Sequence, residues 1–293
     1  TLNQLTGWWN GVAAGDFDGD GRLDLLASNW GRNTKYERFR AHPLRAYTAD
    51  FDGDGTVEFV EGYFEPAAQK WMPIQFFQTV GTAMPLVREA VGTWENYARL
   101  SLDDLYSDML KVAPMVEVNH LETTLFLNRG DHFEARVLPT EAQFAPAFAV
   151  TVADFDGDGR EDAFLSQNFF AVHQDITRYD AGRGLLLRGD GRGGLAPVPG
   201  QDSGLLIYGE QRGAAAGDYD GDGRVDLVVG QNAGPTMLFR NATARPGLRV
   251  RLSGPPGNRD AVGAVVRLVT EQGPGPAREI HAGSGYWSQD SAI

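Results

Sequence analysis

The chain has 293 residues, of which 42% are hydrophobic and 11% aromatic, and its formal net charge is −13. This size and apolar content allow one large β-domain or two domains with a substantial buried core. The negative charge argues against a nucleic-acid partner, and the absence of cysteine excludes disulfide bonds. Neither a secretory leader nor an apolar run long enough to span a bilayer is evident, so membrane insertion is not expected.

A nine-residue acidic motif occurs four times, as DFDGDGRLD at residues 16–24, DFDGDGTVE at 50–58, DFDGDGRED at 154–162 and DYDGDGRVD at 218–226. Each copy places carboxylates at positions 1, 3, 5 and 9 and glycines at positions 4 and 6. Carboxylates this close repel one another unless a cation lies among them. With the backbone carbonyl at position 7 they offer the hard oxygen ligands that Ca²⁺ prefers, whereas Mg²⁺ dehydrates reluctantly and fits less well.

The motif therefore predicts about four structural Ca²⁺ ions, one for each copy. Position 7 enters the ligand set through its main-chain oxygen only. The predicted metal ligands are Asp16, Asp18, Asp20, Arg22 and Asp24; Asp50, Asp52, Asp54, Thr56 and Glu58; Asp154, Asp156, Asp158, Arg160 and Asp162; and Asp218, Asp220, Asp222, Arg224 and Asp226.

Short apolar runs of strand length flank every copy of the motif, such as residues 11–15 and 23–27 around the first. An EF-hand would instead need helices on both sides and a bidentate Glu at position 12. Position 12 is occupied by Ala27, Glu61, Leu165 and Val229. Each copy is therefore predicted to be the metal-binding turn of a β-hairpin.

A second repeated pattern, strand, polar turn and strand, begins at residues 125, 185 and 237. Combined with the hairpins, it predicts units of four strands with the metal loop between the first two, which are the blades of an all-β propeller. The unit resembles the FG-GAP/VCBS repeat of integrin-α-type β-propellers over roughly residues 7 to 245. Closed propellers of this type usually have more than four blades, so the resemblance implies that the chain is part of a longer polypeptide.

Residues 66–114 depart from the strand pattern. Their apolar residues follow a helical period, and Ser101 with Asp104 forms a capping-box signature. We interpret this stretch as a helical insertion on the blade that begins at Asp50. Two roles stay open for it, a surface elaboration that packs on blade edges and a functional insert.

The character of the sequence changes again in residues 246–293. Strands are predicted at 247–252, 261–269 and 278–281. Asn258, Gly263 and residues 283–289 resemble the start of the ASPIC/UnbV domain, which follows such repeats in cartilage-acidic-protein-like secreted proteins. The resemblance implies a partial second domain. Because calcium loops load readily where calcium is millimolar, an extracellular, secreted or periplasmic location is expected.

The resemblance to integrin-type propellers also places a ligand on the face opposite the metal loops. Aromatic side chains beside amides and arginines have the composition of a surface that binds protein or glycan. The residues predicted on this face are Trp8, Trp9, Asn29, Trp30, Arg32, Asn168, Phe170, Tyr208, Gln211, Arg212 and Asn232.

Three functions are compatible with these patterns. The first is a calcium-stabilised extracellular module for binding or adhesion to a protein or glycan. The second is a calcium-dependent enzyme or enzyme part, polysaccharide-lyase-like or biosynthetic, for which His173, Arg178, Glu210 and Arg212 are the candidates although no catalytic motif occurs. The third is a purely structural domain. Two Arg-Gly-Asp tripeptides, at 129–131 and 188–190, are interpreted as hairpin turns rather than as adhesion motifs.

Overall fold

The computed structural model describes residues 2–271 and 273–283. They form mostly antiparallel strands and a few short helices, so the predicted all-β class is confirmed at this level. The chain divides into two compact units. Unit 1 contains residues 9–34 and the chain from 121 onward, and unit 2 contains residues 2–8 and 35–120. No helix in the described part of the chain is long and apolar enough to cross a membrane.

The strands are β1 Gly11–Gly15, β2 Asp24–Ser28, β3 Leu44–Ala49, β4 Glu58–Glu65, β5 Lys70–Pro73, β6 Met115–Val118, β7 Thr124–Asn128, β8 Phe133–Val137, β9 Ala147–Ala153, β10 Asp162–Gln167, β11 Leu185–Gly189, β12 Leu195–Val198, β13 Glu210–Gly217, β14 Asp226–Asn232, β15 Met237–Phe239, β16 Val265–Val266, β17 Val269–Thr270, β18 Gly273–Pro274 and β19 Arg278–Glu279. The α-helices are α1 Phe77–Ala83, α2 Pro85–Val91, α3 Trp94–Tyr97, α4 Leu102–Tyr106, α5 Met109–Val112 and α6 Gly200–Ser203. Short 3₁₀ helices lie at Leu2–Gln4, Glu37–Phe39 and Thr140–Gln143.

Every copy of the acidic motif forms the turn of an antiparallel hairpin, as predicted. The hairpins are β1–β2, β3–β4, β9–β10 and β13–β14. In the first, Gly15 pairs with Asp24, so positions 1 to 8 of the motif make the connection. Gly19 and Gly21, at positions 4 and 6, have φ of 74° and 94°. The turn needs this left-handed backbone, which glycine adopts without a steric penalty.

The aromatic residue at motif position 2 anchors two of the three acidic loops of unit 1 in its core. Phe17 is 1% exposed, among residues that include Leu26 and Leu125, and Phe155 is 8% exposed in a neighbouring cluster. In the fourth copy the equivalent Tyr219 is 72% exposed. Burial of the ring therefore fixes the first and third loops against the sheets behind them.

The sheets of unit 1 match the predicted four-strand unit only in part. The third copy gives the order β12-β11-β10-β9 from consecutive strands, as predicted, and the fourth copy gives the three strands β13-β14-β15. The first sheet has the order β1-β2-β7-β8. All of residues 35–120, including the second acidic motif, thus lie in the chain between its second and third strands. The assumption that each copy is followed directly by its own third and fourth strands is wrong for this sheet.

Unit 2 combines a sheet with the predicted helices. Its sheet has the order β5-β4-β3-β6, and helices α1 to α5 occupy the chain between β5 and β6. The helical prediction for 66–114 holds for residues 77–112, whereas residues 70–73 pair with β4 as a strand. The capping box is present, with the Ser101 amide donating to the Asp104 carboxylate at 2.9 Å. Helix α4 packs closely against β4 at Gly62, because a Cβ at this position would lie only 2.4 Å from the Leu102 Cδ1 atom.

The C-terminal segment contains less strand than predicted. Residues 247–252 form no strand, while β16 pairs with β19 and β17 with β18. The Gly247 amide donates to the Gly223 carbonyl at 2.6 Å, which ties this stretch to the fourth acidic loop without a ladder. Residues 284–289 of the ASPIC/UnbV-like stretch lie outside the described residues. A domain boundary between 245 and 246 remains a prediction.

Candidate metal centres

In all four copies, three of the predicted acidic ligands come together. One carboxylate oxygen from each of positions 1, 3 and 9 lies within 4.8 Å of the other two. The position 5 carboxylates lie outside these groups. The four groups are Asp16, Asp18 and Asp24; Asp50, Asp52 and Glu58; Asp154, Asp156 and Asp162; and Asp218, Asp220 and Asp226.

The position 1 carboxylate is held by the amides of its own loop. Asp154 accepts hydrogen bonds from the amides of Gly157 at 2.8 Å, Asp158 at 3.0 Å and Gly159 at 2.9 Å. Asp50 and Asp218 accept from the equivalent glycine amides. These local bonds fix the carboxylate at the start of the turn, so its position does not depend on a bound cation.

The position 9 carboxylate is buried and has a role that the sequence pattern did not reveal. Asp162 is 2% exposed and accepts from the Phe155 amide at 2.9 Å and from the Gly189 amide of β11 at 2.8 Å. The first and fourth copies repeat this arrangement through Asp24 and Asp226. The residue therefore links the metal loop to the third strand of its sheet. Among the described residues, the Glu58 carboxylate accepts only the bond within its loop, from the Phe51 amide.

The charge of these groups favours a bound cation. Burial is the main cause that raises the pKa of Asp24 to about 6 and that of Asp162 to about 7, against the hydrogen bonds from backbone amides. The Asp16 Oδ1 atom is buried and has no hydrogen-bond partner among the described residues. A buried carboxylate oxygen without a partner is costly. The donor set and this orphaned oxygen fit a hard cation such as Ca²⁺.

These pKa values predict how the calcium-free protein responds to pH. An acid whose pKa is raised by folding stabilises the fold fully below its unfolded pKa, about 4, and loses that contribution as pH rises through the folded pKa. When the pH is lowered from about 8 to about 6, protonation of Asp162 should stabilise the metal-free folded state by about 1 kcal/mol. We therefore expect the melting temperature of the metal-free protein to rise by about 3 °C over this range. The measurement is thermal unfolding in calcium-free buffer. Asp162→Asn should remove most of the rise, and a wild-type curve that falls over this range would contradict the burial effect.

Arginines neutralise the acids of three copies. Position 3 pairs with an arginine at the end of the third strand or directly after it, namely Arg129 with Asp18, Arg188 with Asp156 and Arg240 with Asp220, at 2.5 to 2.7 Å. Position 5 pairs with the position 7 arginine of its own loop. In the described residues, no lysine or arginine makes a salt bridge with the carboxylates of 50–58. The second copy therefore depends most on a metal ion to neutralise its charge.

The same contacts explain both Arg-Gly-Asp tripeptides. Arg129 and Arg188 are both paired with acids of the acidic loops, although the Arg188 side chain is 58% exposed. Asp190 accepts from the amides of Arg192 and Gly194, which closes the turn between β11 and β12. These contacts agree with the interpretation of the tripeptides as turns.

Besides the contact of Gly247 with the fourth acidic loop, the C-terminal segment contacts the first and third acidic loops of unit 1. The Ala277 amide donates to the Asp16 Oδ2 atom at 2.8 Å, and Arg278 pairs with the buried Glu161 at 2.7 Å. Arg267 also donates to the Gly19 carbonyl at 3.4 Å. Sequence reasoning missed these contacts because they join residues more than a hundred positions apart.

Three predicted ligand-face residues are buried. Asn29, Asn168 and Gln211 are each 0% exposed, and a role for them in ligand binding stays a prediction. Asn168 has φ of 87°, and its side chain bonds the Gly182 amide and carbonyl and the Gly209 carbonyl. Such amides satisfy backbone groups where the strands end.

Other predicted face residues form aromatic and polar clusters. In unit 1, Trp30 packs on Phe169 with ring centroids 5.1 Å apart, and Arg212 lies 3.8 Å over the Phe148 ring while pairing with Glu210. Trp9 packs on Phe126, Arg178 lies over Phe170, and Asn232 donates to Glu210. In unit 2, Trp8 packs on Tyr36 and Phe59. Tyr208, Arg32 and Asn232 are exposed.

The match to a known family falls on the first hairpin, with its acidic turn and flanking strands. Residues 8–34 match the model of the FG-GAP repeat. This match confirms the predicted FG-GAP resemblance for β1, the first acidic loop and β2. The other three copies have the same motif and the same hairpin. No curated protein matches the chain. The resemblance of the C-terminal segment to an ASPIC/UnbV domain stays a prediction.

Proposed function

We propose that the chain is a calcium-stabilised FG-GAP module, with blades of propeller type, that binds an extracellular protein or glycan. The observation that carries the proposal is the convergence of three carboxylates in every one of four copies. An isolated acidic triplet is common on protein surfaces, but four equivalent ones in equivalent hairpins point to a shared ligand. Extracellular calcium, at millimolar concentration, would fill loops of this kind.

Calcium would lie among the acids at positions 1, 3 and 9, with position 5 and the position 7 carbonyl as further ligands. When bound, the ion supplies positive charge that offsets the repulsion among these carboxylates. The side chains and amides of the protein have separate roles in holding the ligands. Position 1 is oriented by loop amides, position 9 ties the loop to the third strand in three copies, and arginines hold position 3 in the same three.

The proposed binding surface of unit 1 lies at the strand ends remote from the metal loops. Trp30 follows the end of β2, and Tyr208 precedes the start of β13, whereas both strands meet their acidic loops at the other end. Tyr208 is 63% exposed, and Arg183 lies 5.5 Å over its ring. An exposed ring beside a cation suits contact with a sugar face or an aromatic side chain.

A glycan and protein array on the calcium-loaded chain tests this surface. Tyr208→Ala and Trp30→Ala should weaken binding to a captured ligand at least about tenfold, as loss of an aromatic anchor does. Tyr219→Ala is the matched control, because Tyr219 is equally exposed, at 72%, but belongs to the fourth metal loop. The proposed surface would be contradicted if all three variants lost the same amount of affinity, or if Tyr208→Ala and Trp30→Ala lost none.

A further inference from the structure

The helices of unit 2 and the second acidic hairpin border a cavity of about 290 Å³ that is partly open to solvent. All of its lining residues belong to unit 2. Most of its apolar wall comes from Val60 of β4, Val80 and Ala83 of α1, Met84 between α1 and α2, and Tyr106 of α4. Val57 and Phe59, which also line it, are 69% and 47% exposed. A cavity of this size lies at the lower end of the range for small-molecule sites.

Tyr106 is one of the residues that line this cavity. The residue is 6% exposed, and its oxygen is buried with no partner among the described residues. Tyr97, equally buried in the same core, donates to the Gln75 carbonyl at 3.0 Å. Since buried hydroxyls are almost always hydrogen-bonded, the Tyr106 hydroxyl is a donor whose acceptor is still to be supplied.

The charges around the cavity limit what can enter. Asp54 and Glu58 contribute to its lining, and no lysine, arginine or histidine does. Carboxylates at the rim disfavour anions. The remaining polar side chains, Gln75, Thr56 and Thr79, are neutral, and Gln75 is committed to the Phe59 carbonyl and the Glu61 amide. Both carboxylates are predicted calcium ligands, so in the calcium-loaded chain the metal would offset their charge. The rest of the wall then suits a neutral, largely apolar molecule.

We propose that this cavity binds a small neutral apolar molecule whose carbonyl or ether oxygen accepts the hydrogen of the Tyr106 hydroxyl. The apolar part contacts the valine, alanine and methionine side chains. The phenol is protonated at neutral pH, so it donates. This site gives the helical insertion a binding role that is independent of the proposed surface on unit 1 and of its ligand.

Two isosteric probes test the proposal on the calcium-loaded full chain. Acetophenone has the acceptor oxygen, and α-methylstyrene replaces it with a methylene group. We expect acetophenone to bind with a Kd of about 1 mM or tighter in ligand-observed NMR titrations. Tyr106→Phe should weaken acetophenone about fivefold, the loss of one neutral hydrogen bond, and should change α-methylstyrene by less than about twofold.

Two further variants separate binding from folding. Ala83→Leu should weaken both probes, because the larger side chain fills the cavity. Tyr97→Phe is the matched control, since it removes a neighbouring phenol that already has a partner, and it should leave the ratio of the two affinities unchanged. The proposal is overturned if neither probe binds the wild-type chain, if Tyr106→Phe weakens both probes equally, or if Ala83→Leu leaves both affinities intact.

Discussion

Replacing Asp162 with Ala is expected to lower the free energy of unfolding by about 3 kcal/mol, even in calcium-free buffer. The substitution leaves the amides of Phe155 and Gly189 buried without an acceptor, and it unties the third acidic loop from β11. Relief of the buried charge offsets part of this cost. Urea denaturation of both chains measures the difference.

Asp158→Ala is the matched control within the same loop. Asp158 is exposed, and among the described residues its side chain accepts hydrogen bonds only from Arg160, from the amide at 3.0 Å and from the guanidinium at 3.3 Å. Without calcium its loss should cost less than about 1 kcal/mol, as exposed ion pairs do. Equal destabilisation by the two substitutions would show that the position 9 carboxylate is not the link between loop and strand.

Glu58→Ala extends the comparison to the second copy. The Glu58 carboxylate is buried, and in the part of the chain that the structure describes it accepts a bond from the Phe51 amide and from no third-strand amide. Its loss should therefore cost less than that of Asp162. Both carboxylates are buried, but only that of Asp162 is bonded to a third-strand amide in the described structure. A smaller stability loss for Glu58→Ala than for Asp162→Ala would therefore be due to that bond and not to burial.

The four hairpins could be predicted because their determinants are local. Glycines at positions 4 and 6 permit the left-handed turn, and the apolar runs beside it have strand length. The capping box at Ser101 was readable for the same reason. Each of these features is specified by residues fewer than ten positions apart.

The order of strands in the first sheet could not be predicted in this way. Leu25 of β2 pairs with Phe126 of β7, and nothing in either stretch reports the other's position. The run 247–252 likewise has a strand pattern but pairs with no strand among the described residues. Strand pairing is a tertiary property, so pattern alone cannot fix it.

The candidate site was predictable in its acids but not in their supports. Alternating aspartates indicate a cation, whereas the pairing of Arg129, Arg188 and Arg240 with position 3 depends on where the third strand ends. Composition did not report the burial of Asn29 and Gln211, because an amide near aromatic residues can serve a ligand or a buried backbone group equally well.

Removal of calcium is the second change for which we expect a large effect. At millimolar calcium and the affinities usual for extracellular modules, each site contributes about 1 kcal/mol, and four sites together about 4 kcal/mol. The loop at 50–58, which lacks arginine partners in the described structure, should lose the most order. Hydrogen exchange of its amides with and without calcium reports this directly.

The melting temperature in millimolar calcium, compared with that in excess EGTA, tests the central claim that these acidic loops hold structural calcium. Magnesium at the same concentration is the control ion, because it dehydrates reluctantly and should stabilise less. We expect calcium to raise the melting temperature by on the order of 10 °C. A melting curve that is the same in calcium and in EGTA would contradict the account.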